Sequence, residues 1–322
     1  MLDFNKRNIR TWSMLGSRRL FGVVLEELAE RDDRFVFVTA DVGRYYAINR
    51  FIEKYPDRII NVGISEQNMI GVAAGLAKEG YHPMVATYAT FATARVLDQI
   101  RVNMGLMELG IVVVGVSSGL AEGDMSATHM GLEDIADMTA IPNITVLSPA
   151  DAAETISALL AAMECGKPTY VRLTGTQNCP IVYSEEIDYR IGRINRLADG
   201  GDGAILATGT IVSAALKARN SILQNTGKEL AVYDMHTLKP ISEAFIHELL
   251  KYNHIITVEE HQKYGGLGSI IATELSACGK CPRQLMLAVD DYYPKAGTYE
   301  SLLEETGLTA EKMTERIQRF LG

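Results

Sequence analysis

The sequence predicts an α/β fold of two doubly wound domains. Helix and strand signals alternate along almost the whole chain, which is typical of βαβ units with mostly parallel sheets. The 322 residues are enough for two domains that each bury a core. Between Gln177 and about Asp199 the periodicity gives way to a polar, irregular run. We therefore predict a larger domain over 1–178, a linker over 179–198 and a smaller domain over 199–322.

The first domain is predicted from six short apolar runs separated by stretches of helical character. Asp151 and Glu154 suit the start of one such helix, because they follow Pro149 and acidic side chains favour a helix N-terminus. The predicted strands are 35–40, 59–62, 83–88, 111–116, 144–148 and 169–173. The predicted helices are 17–31, 65–79, 92–107, 131–139 and 150–164.

The second domain repeats the same alternation on a smaller scale. No internal repeat or low-complexity segment interrupts it. The predicted strands are 204–208, 230–234, 254–258 and 284–289. The predicted helices are 210–224, 242–251, 268–277 and 309–320.

Composition and charge exclude several classes of function. The formal net charge is -9 and no basic run is present, which argues against a nucleic-acid surface. No apolar stretch is long enough to span a membrane, since the longest apolar run covers only 111–116. Residues 1–20 contain no apolar core of a secretory signal. We expect a cytoplasmic protein that does not bind membranes.

The four cysteines do not predict a disulfide framework or a metal site. Cys278 and Cys281 form a C-x-x-C pair, but a structural zinc site needs a second pair. Cys165 and Cys179 are far apart in the sequence. We therefore interpret the C-x-x-C pair as part of an ordinary loop.

The most informative segment is 61–80, N-V-G-I-S-E-Q-N-M-I-G-V-A-A-G-L-A-K-E-G. A short strand ends at Gly63, and a narrow helix of small and aliphatic residues starts near Ser65 with Glu66 in its first turn. The helix is apolar nearly all round, so we expect it to be buried against another surface. An acid at this point is either a simple partner of the helix N-terminus or a buried carboxyl group whose proton is used.

The same segment, followed by H-P-M-V-A-T-Y-A-T-F at 82–91, resembles the pyrimidine-binding domain of the transketolase family of thiamine diphosphate enzymes. The segments 232–240 and 258–269 resemble the C-terminal domain of that family. The resemblance therefore covers nearly the whole chain, in order. In the family, a glutamate at the position of Glu66 hydrogen-bonds N1′ of the cofactor's aminopyrimidine, and this contact activates the cofactor. Burial would raise the pKa of such a carboxyl group and help it to hold that proton.

Three further residues have counterparts at the family's cofactor site. The resemblance implies that Phe91 stacks on the aminopyrimidine and that Asp41 approaches the thiazolium side. His129 corresponds to the histidine of the family's G-x-T-H loop, which contacts substrate hydroxyl groups. Family members have further aromatic residues where this chain has Ala94 and Leu97, so the stacking platform is expected to be thinner. The plainer interpretations are a core aromatic, a helix cap and a solvent-facing loop histidine.

The substrate site matches the family only in part. Arg18 corresponds to a family arginine that reaches the substrate phosphate, and an arginine suits phosphate or sulfonate alike. Asp124 is a weaker candidate, because its spacing from His129 differs by one residue from the family pattern. A second family arginine is replaced by Thr176, and Ser117 and Ser118 stand where relatives have histidine or arginine. Arg172 belongs to the preceding strand. A phosphorylated or otherwise anionic sugar is expected.

The family's diphosphate site is missing from this chain. That site consists of G-D-G followed at a fixed distance by asparagine, at the carboxyl end of a strand. Gly201-Asp202-Gly203 precedes strand 204–208, and Asn220 and Asn225 follow too soon. The glycines of 265–268 are only a weak sign of a phosphate loop. We therefore expect thiamine diphosphate to be shared with an N-terminal diphosphate-binding subunit, which also binds Mg²⁺.

The sequence thus predicts the C-terminal subunit of a split transketolase, assembled as an α₂β₂ heterotetramer and inert alone. Such an enzyme transfers a two-carbon ketol unit from a ketose to an aldose. Three alternatives stay open: the β subunit of a 2-oxoacid dehydrogenase E1 component, a 1-deoxyxylulose-5-phosphate synthase-like enzyme, and an inactive scaffold. A scaffold has little physical reason to keep a buried acid.

Overall fold

The chain folds into two α/β domains, each built around one β-sheet with helices packed against it. This description comes from a computed structural model that describes residues 2–42, 46–279 and 281–322. The first sheet has seven strands and the second has five. All strand pairs are parallel except one at an edge of each sheet. The predicted fold class is confirmed.

The strands of the first sheet are Phe35–Thr39 (β1), Ile59–Asn61 (β2), His82–Tyr88 (β3), Val112–Ser118 (β4), Thr145–Leu147 (β5), Thr169–Thr174 (β6) and Thr237–Lys239 (β10). They lie in the order β10-β5-β6-β4-β3-β1-β2. The central strands are buried on both faces, as expected for parallel strands covered by helices.

The helices of the first domain largely follow the predictions. They are Lys6–Arg31 (α1), Asn49–Lys54 (α2), Glu66–Lys78 (α3), Ala89–Ala92 (α4), Leu97–Ile100 (α5), Asp134–Thr139 (α6) and Ala152–Glu164 (α7). The first helix begins eleven residues before the predicted start at 17, and it breaks at Gly16, where φ is 75°. Glycine is needed there, because a Cβ atom would lie 2.4 Å from the carbonyl oxygen of Thr176.

The predicted helix 92–107 is wrong as a single element. The chain instead forms α4, a 3₁₀ turn over Ala94–Val96, α5 and a π-helical segment over Arg101–Leu106. The break lies at Thr93, whose φ and ψ of -123° and -84° are not helical. The Thr93 hydroxyl donates a hydrogen bond to the carbonyl oxygen of Ala89 at 2.9 Å, and such bonds from β-branched hydroxyls often bend helices.

Helix α3 is buried on one side only. Met69, Ile70 and Ala73 pack into the core, whereas Gly71 and Gly75 are exposed. A Cβ atom added to either glycine would have no other atom within 4 Å. Within this chain, the surface expected to cover this helix is therefore present on one side only. The exposed side is narrow because glycines form it.

The strands of the second sheet are Asn195–Ala198 (β7), Gly203–Ala207 (β8), Leu230–Asp234 (β9), His254–Gln262 (β11) and Arg283–Val289 (β12), in the order β12-β11-β8-β9-β7. The accompanying helices are Val212–Thr226 (α8), Glu243–Leu249 (α9), Leu267–Ser276 (α10), Tyr299–Glu305 (α11) and Ala310–Leu321 (α12). The sequence did not predict β7, β10, α2 or α11. Helices within the described ranges are all too short or too polar to cross a membrane.

Candidate active site

Three of the predicted site residues follow the carboxyl ends of parallel strands in the first sheet. Glu66 comes after β2, Phe91 lies in α4 after β3, and His129 lies in the loop after β4. Carboxyl ends of parallel strands share one edge of a sheet, and ligands of open α/β sheets bind beyond that edge. The sheet order therefore explains why residues far apart in the sequence can form one site.

Glu66 is the first residue of α3 and is 5% exposed. Free N–H groups and the helix dipole at this terminus favour a carboxylate. One of its oxygens, Oε2, lies 3.1 Å from Nη1 of Arg95. The structure thus places a buried acid beside a cation at the predicted position.

Phe91 lies at the centre of an aromatic cluster. Its ring centroid is 5.2 Å from that of His129 and 6.0 Å from that of Tyr88, both in edge-on geometry. The guanidinium carbon of Arg95 lies 3.8 Å from the Phe91 centroid, which is close cation–π contact. Glu66, Phe91 and His129 are thereby brought together, with Arg95 joining the acid to the ring.

Arg95 was not identified from the sequence. It lies in the 3₁₀ turn that follows the break at Thr93, four residues after Phe91. The sequence prediction considered only the aromatic positions of the family, which are Ala94 and Leu97 here, and helix periodicity gave no signal for Arg95. An arginine covers the ring instead of further aromatic residues.

Asp41 lies at the same edge of the sheet, after β1. It is exposed, and its left-handed backbone (φ 63°) is fixed by Asn61, the last residue of β2. The Asn61 amide donates to Oδ1 of Asp41 at 2.9 Å, and the Asp41 N–H donates back to Asn61 at 3.1 Å. The two hydrogen bonds thus hold an exposed carboxylate at the sheet edge where Glu66 and Phe91 also lie.

A second cluster lines a pocket of about 460 Å³ between the two domains. Arg18, Arg19 and Asp124 contribute charged side chains to it, as do Glu122 and Glu300. The predicted substrate residues Arg18 and Asp124 therefore share one pocket. Its arginines are balanced by acids, which the sequence prediction did not foresee.

Arg18 is already paired within this pocket. Its Nη1 donates to Oε1 of Glu122 at 2.5 Å, and the Ser117 hydroxyl donates to the same oxygen at 2.7 Å. The neighbour of Arg18 is therefore an acid that a serine hydroxyl holds in place. An incoming anion must compete with Glu122 for this arginine.

Tyr46 is a buried tyrosine whose pKa is affected by residues of both clusters. It is fully buried, and burial raises the pKa of its hydroxyl well above the usual range. Four ionisable groups also act on this pKa: Tyr88, Arg18, Glu122 and Glu66. The Tyr46 hydroxyl has no hydrogen-bond partner among the residues that the structure describes. The pKa of this hydroxyl is thus sensitive to charged groups of both clusters.

Neither glycine-rich stretch forms a phosphate site in the described structure. Gly203 opens β8, so the G-D-G segment lies at the amino end of that strand, as predicted. At the N-terminus of α10, the N–H groups of Leu267 and Gly268 already donate to Glu259 at 2.6 and 2.9 Å. Burial raises the pKa of Glu259 to about 7. This acid occupies the place that a phosphate would need.

Arg172 is structural, as its position in a strand suggested. It is fully buried in β6, and its Nε donates to both carboxylate oxygens of Asp134. The Tyr170 hydroxyl donates to the same carboxylate at 2.8 Å. Within the described residues, no group of three or more His, Cys, Asp or Glu side chains is arranged to hold a metal ion.

Models of two known domain families match this chain. The transketolase pyrimidine-binding domain matches residues 13–179, and the transketolase C-terminal domain matches residues 192–313. The chain belongs to the transketolase family. Membership of this family implies dependence on thiamine diphosphate.

Relatives within the transketolase family include components of split enzymes. The chain is 36% identical to the 6-deoxy-6-sulfo-D-fructose transketolase subunit SqwH of Clostridium sp. (strain MSTE9), covering 90% of this chain and 89% of the relative. It is 35% identical to one of the subunits of the apulose-4-phosphate transketolase of Phocaeicola vulgatus, covering 82% and 85%. A solved structure described as a split-gene transketolase, inactive β4 tetramer, matches with a TM-score of 0.84 at 34% identity, covering 95% and 97%.

The residues of this transketolase-family chain fit half of a thiamine diphosphate site. The guanidinium of Arg95 lies on the ring of Phe91 and pairs with Glu66, so these two residues accommodate a planar group that carries nitrogen. Among the described residues, neither glycine-rich segment fits a diphosphate. The G-D-G segment lies at the amino end of its strand, and the N–H groups at the start of α10 are bound to Glu259.

Proposed function

We propose that this chain is the C-terminal subunit of a split, thiamine diphosphate-dependent transketolase, which transfers a two-carbon ketol unit from a ketose to an aldose. The observation that carries the proposal is the juxtaposition of Glu66 and Phe91. A buried carboxylate at a helix N-terminus and an aromatic ring both contact the planar guanidinium of Arg95. Family membership supplies the cofactor class that fits such a site.

We assign the cofactor contacts of this chain to Glu66, Phe91 and Asp41. Glu66, when protonated, would donate a hydrogen bond to the aminopyrimidine N1′, and its carboxylate would pair with N1′–H once the proton has moved. Phe91 would stack on the same ring, an interaction worth about 0.5–1.5 kcal/mol beyond burial. Asp41, whose carboxylate is held by Asn61, would approach the thiazolium side. When bound, thiamine diphosphate supplies the carbon nucleophile of the reaction, so these residues act by orienting it.

We assign the sugar contacts to His129, Arg18 and Asp124. His129 touches the ring of Phe91, so its imidazole can reach a sugar hydroxyl beside the cofactor site. Arg18 lies in the neighbouring pocket with Asp124 and suits an anionic end of the ketose. One relative is named for a sulfonated sugar and another for a phosphorylated one. Their names support an anionic substrate without choosing between these groups.

We propose that activity needs an N-terminal subunit that binds the diphosphate and Mg²⁺, in an α₂β₂ heterotetramer. Two observations support a partner. The described residues contain no recognisable diphosphate site, and α3 exposes the glycine side around Gly71 and Gly75 next to Glu66. The related split-gene structure is described as an inactive β4 tetramer, which agrees with a need for a second kind of chain.

The test is ketol transfer by the purified chain mixed with its candidate N-terminal subunit, thiamine diphosphate and Mg²⁺. Donors should include ketoses with phosphate, sulfonate and uncharged ends. Glu66→Gln should abolish transfer, whereas Glu79→Gln should not, because Glu79 is exposed at the other end of α3. Activity only in the mixture, and only with Glu66, is the expected result.

Other outcomes would favour the alternatives. Decarboxylation of 2-oxoacids with reduction of a lipoyl acceptor would favour a dehydrogenase E1 subunit. Condensation of pyruvate with glyceraldehyde 3-phosphate would favour a synthase of the 1-deoxyxylulose-5-phosphate type. A stable complex without turnover, or equal turnover with Glu66→Gln, would refute the proposed role of Glu66 and favour a scaffold.

A further inference from the structure

The side chain of Arg95 occupies both contacts that the proposed function assigns to the aminopyrimidine. Its guanidinium carbon lies 3.8 Å from the centroid of Phe91. Its Nη1 lies 3.1 Å from Oε2 of Glu66. One planar group thus covers the ring face and pairs with the acid at the same time.

A guanidinium and an aminopyrimidine have much in common as ligands. Both are planar and both stack on aromatic rings, and an aminopyrimidine protonated at N1′ presents an N–H to a carboxylate as a guanidinium does. They cannot share one ring face and one carboxylate oxygen. We propose that Arg95 is a displaceable substitute for the aminopyrimidine, which fills the site in the cofactor-free subunit and must turn outward when the cofactor binds. This inference rests on the proposed function.

The arrangement allows Arg95 to leave while its partners stay. The Arg95 side chain is 45% exposed, whereas that of Glu66 is 6% exposed. The backbone of Arg95 is anchored, because its carbonyl oxygen accepts a hydrogen bond from the Gln67 amide at 3.3 Å. A rotation of the side chain alone, toward solvent, therefore uncovers the ring and the carboxylate.

The substitute has a physical purpose in a subunit without cofactor. A buried carboxylate that lacks a partner destabilises a folded protein. Arg95 supplies that partner until the aminopyrimidine replaces it. The Arg95 contacts must then be broken before the cofactor forms its own. The wild-type chain therefore binds the cofactor more weakly than a chain without this arginine would.

The first experiment measures the dissociation constant of thiamine diphosphate by calorimetry, with saturating Mg²⁺, on the complex of this chain and its N-terminal subunit. Arg95→Met removes the competing cation and should tighten binding by about 3- to 30-fold, from typical cation–π and partly exposed ion-pair strengths. Arg95→Lys, which keeps the charge but not the planar group, should lie between. Arg101→Met is the matched control, because Arg101 pairs with Asp98 on the surface of the same segment.

The outcomes separate this inference from the proposed function. Weaker or unchanged binding with Arg95→Met would overturn the inference, because Arg95 would then contribute to the bound state or play no part. If the wild-type complex binds no thiamine diphosphate, the proposed function fails instead. Thermal unfolding of each isolated variant shows whether it is folded before the titration.

A rescue experiment gives an independent reading. In the Arg95→Ala complex, methylguanidinium should compete with thiamine diphosphate and weaken its binding in proportion to concentration. In the wild-type complex the same concentrations of methylguanidinium should change the dissociation constant of thiamine diphosphate little. The tethered guanidinium of Arg95 already fills the site there. Equal effects on both complexes would contradict a specific substitute site.

Discussion

Replacing Glu122 with glutamine should strengthen the binding of anionic ketose donors. In the described structure Glu122 accepts from Arg18 Nη1 at 2.5 Å and from the Ser117 hydroxyl at 2.7 Å. The donor's phosphate or sulfonate must take Arg18 from this carboxylate. Glutamine keeps the shape and a hydrogen-bond acceptor but removes the competing charge, so Arg18 becomes available to the substrate.

The size of the effect follows from the strength of one charged hydrogen bond. Hydrogen bonds to charged groups contribute about 1.5–3 kcal/mol when they are well shielded. Arg18 is 30% exposed and Glu122 is 11% exposed, so solvent reduces this value. We expect a gain of about 1–2 kcal/mol, which corresponds to a fall in KM of about 5- to 30-fold.

Steady-state kinetics of the assembled enzyme would measure this change with phosphorylated, sulfonated and uncharged ketoses. The matched control is Glu300→Gln, since Glu300 is exposed in the same pocket. KM should fall for the anionic donors with Glu122→Gln only, and the uncharged donor should be unaffected. An unchanged or higher KM for anionic donors would refute the reasoning, as would an equal fall for the uncharged donor.

Three further predictions concern buried polar groups. Burial raises the pKa of Asp234 from 3.8 to about 7, so the folded chain holds a proton that the unfolded chain releases. The free energy of unfolding should therefore fall as pH rises from about 4 to 7, and Asp234→Asn should reduce the slope of this free energy against pH in urea titrations over that range; an unchanged slope would contradict the assignment. Asp134→Asn should destabilise the chain by about 3–5 kcal/mol in denaturant unfolding, because it leaves the charge of Arg172 buried and unpaired; a loss below about 1 kcal/mol would show that the pair contributes little. Tyr46→Phe removes a buried hydroxyl without a partner among the described residues, so stability should stay the same or rise by about 1 kcal/mol; a clear loss of stability would reveal a missed partner.

The sequence was sufficient for the fold class and for the place of the candidate site. Alternating apolar strands and helices specify a parallel sheet, because each strand must be covered by the helix that follows it. Residues after neighbouring strand ends then meet at one edge, whatever their separation in the sequence. This is why Glu66, Phe91 and His129, which were named through the family resemblance, are found together.

The elements that sequence patterns missed are those fixed by distant contacts. Strand β10 is only three residues long and leaves the second domain to pair with β5 of the first. The break at Thr93 depends on a side-chain hydrogen bond that helix periodicity does not reveal. Short elements of this kind have too few residues for a periodic signal, so their conformation depends on the distant residues that they contact.

A transketolase-type pair of domains, with an acid at the start of a narrow helix, can be read directly from the order of residues in this chain. The pairing of charges cannot be read in this way and becomes visible only in the folded molecule. Glu122 neutralises Arg18, and Arg95 covers Phe91 while pairing with Glu66. The reason is physical: a backbone pattern follows from local periodicity, whereas the pairing of charges follows from distances between side chains that are set when the fold packs.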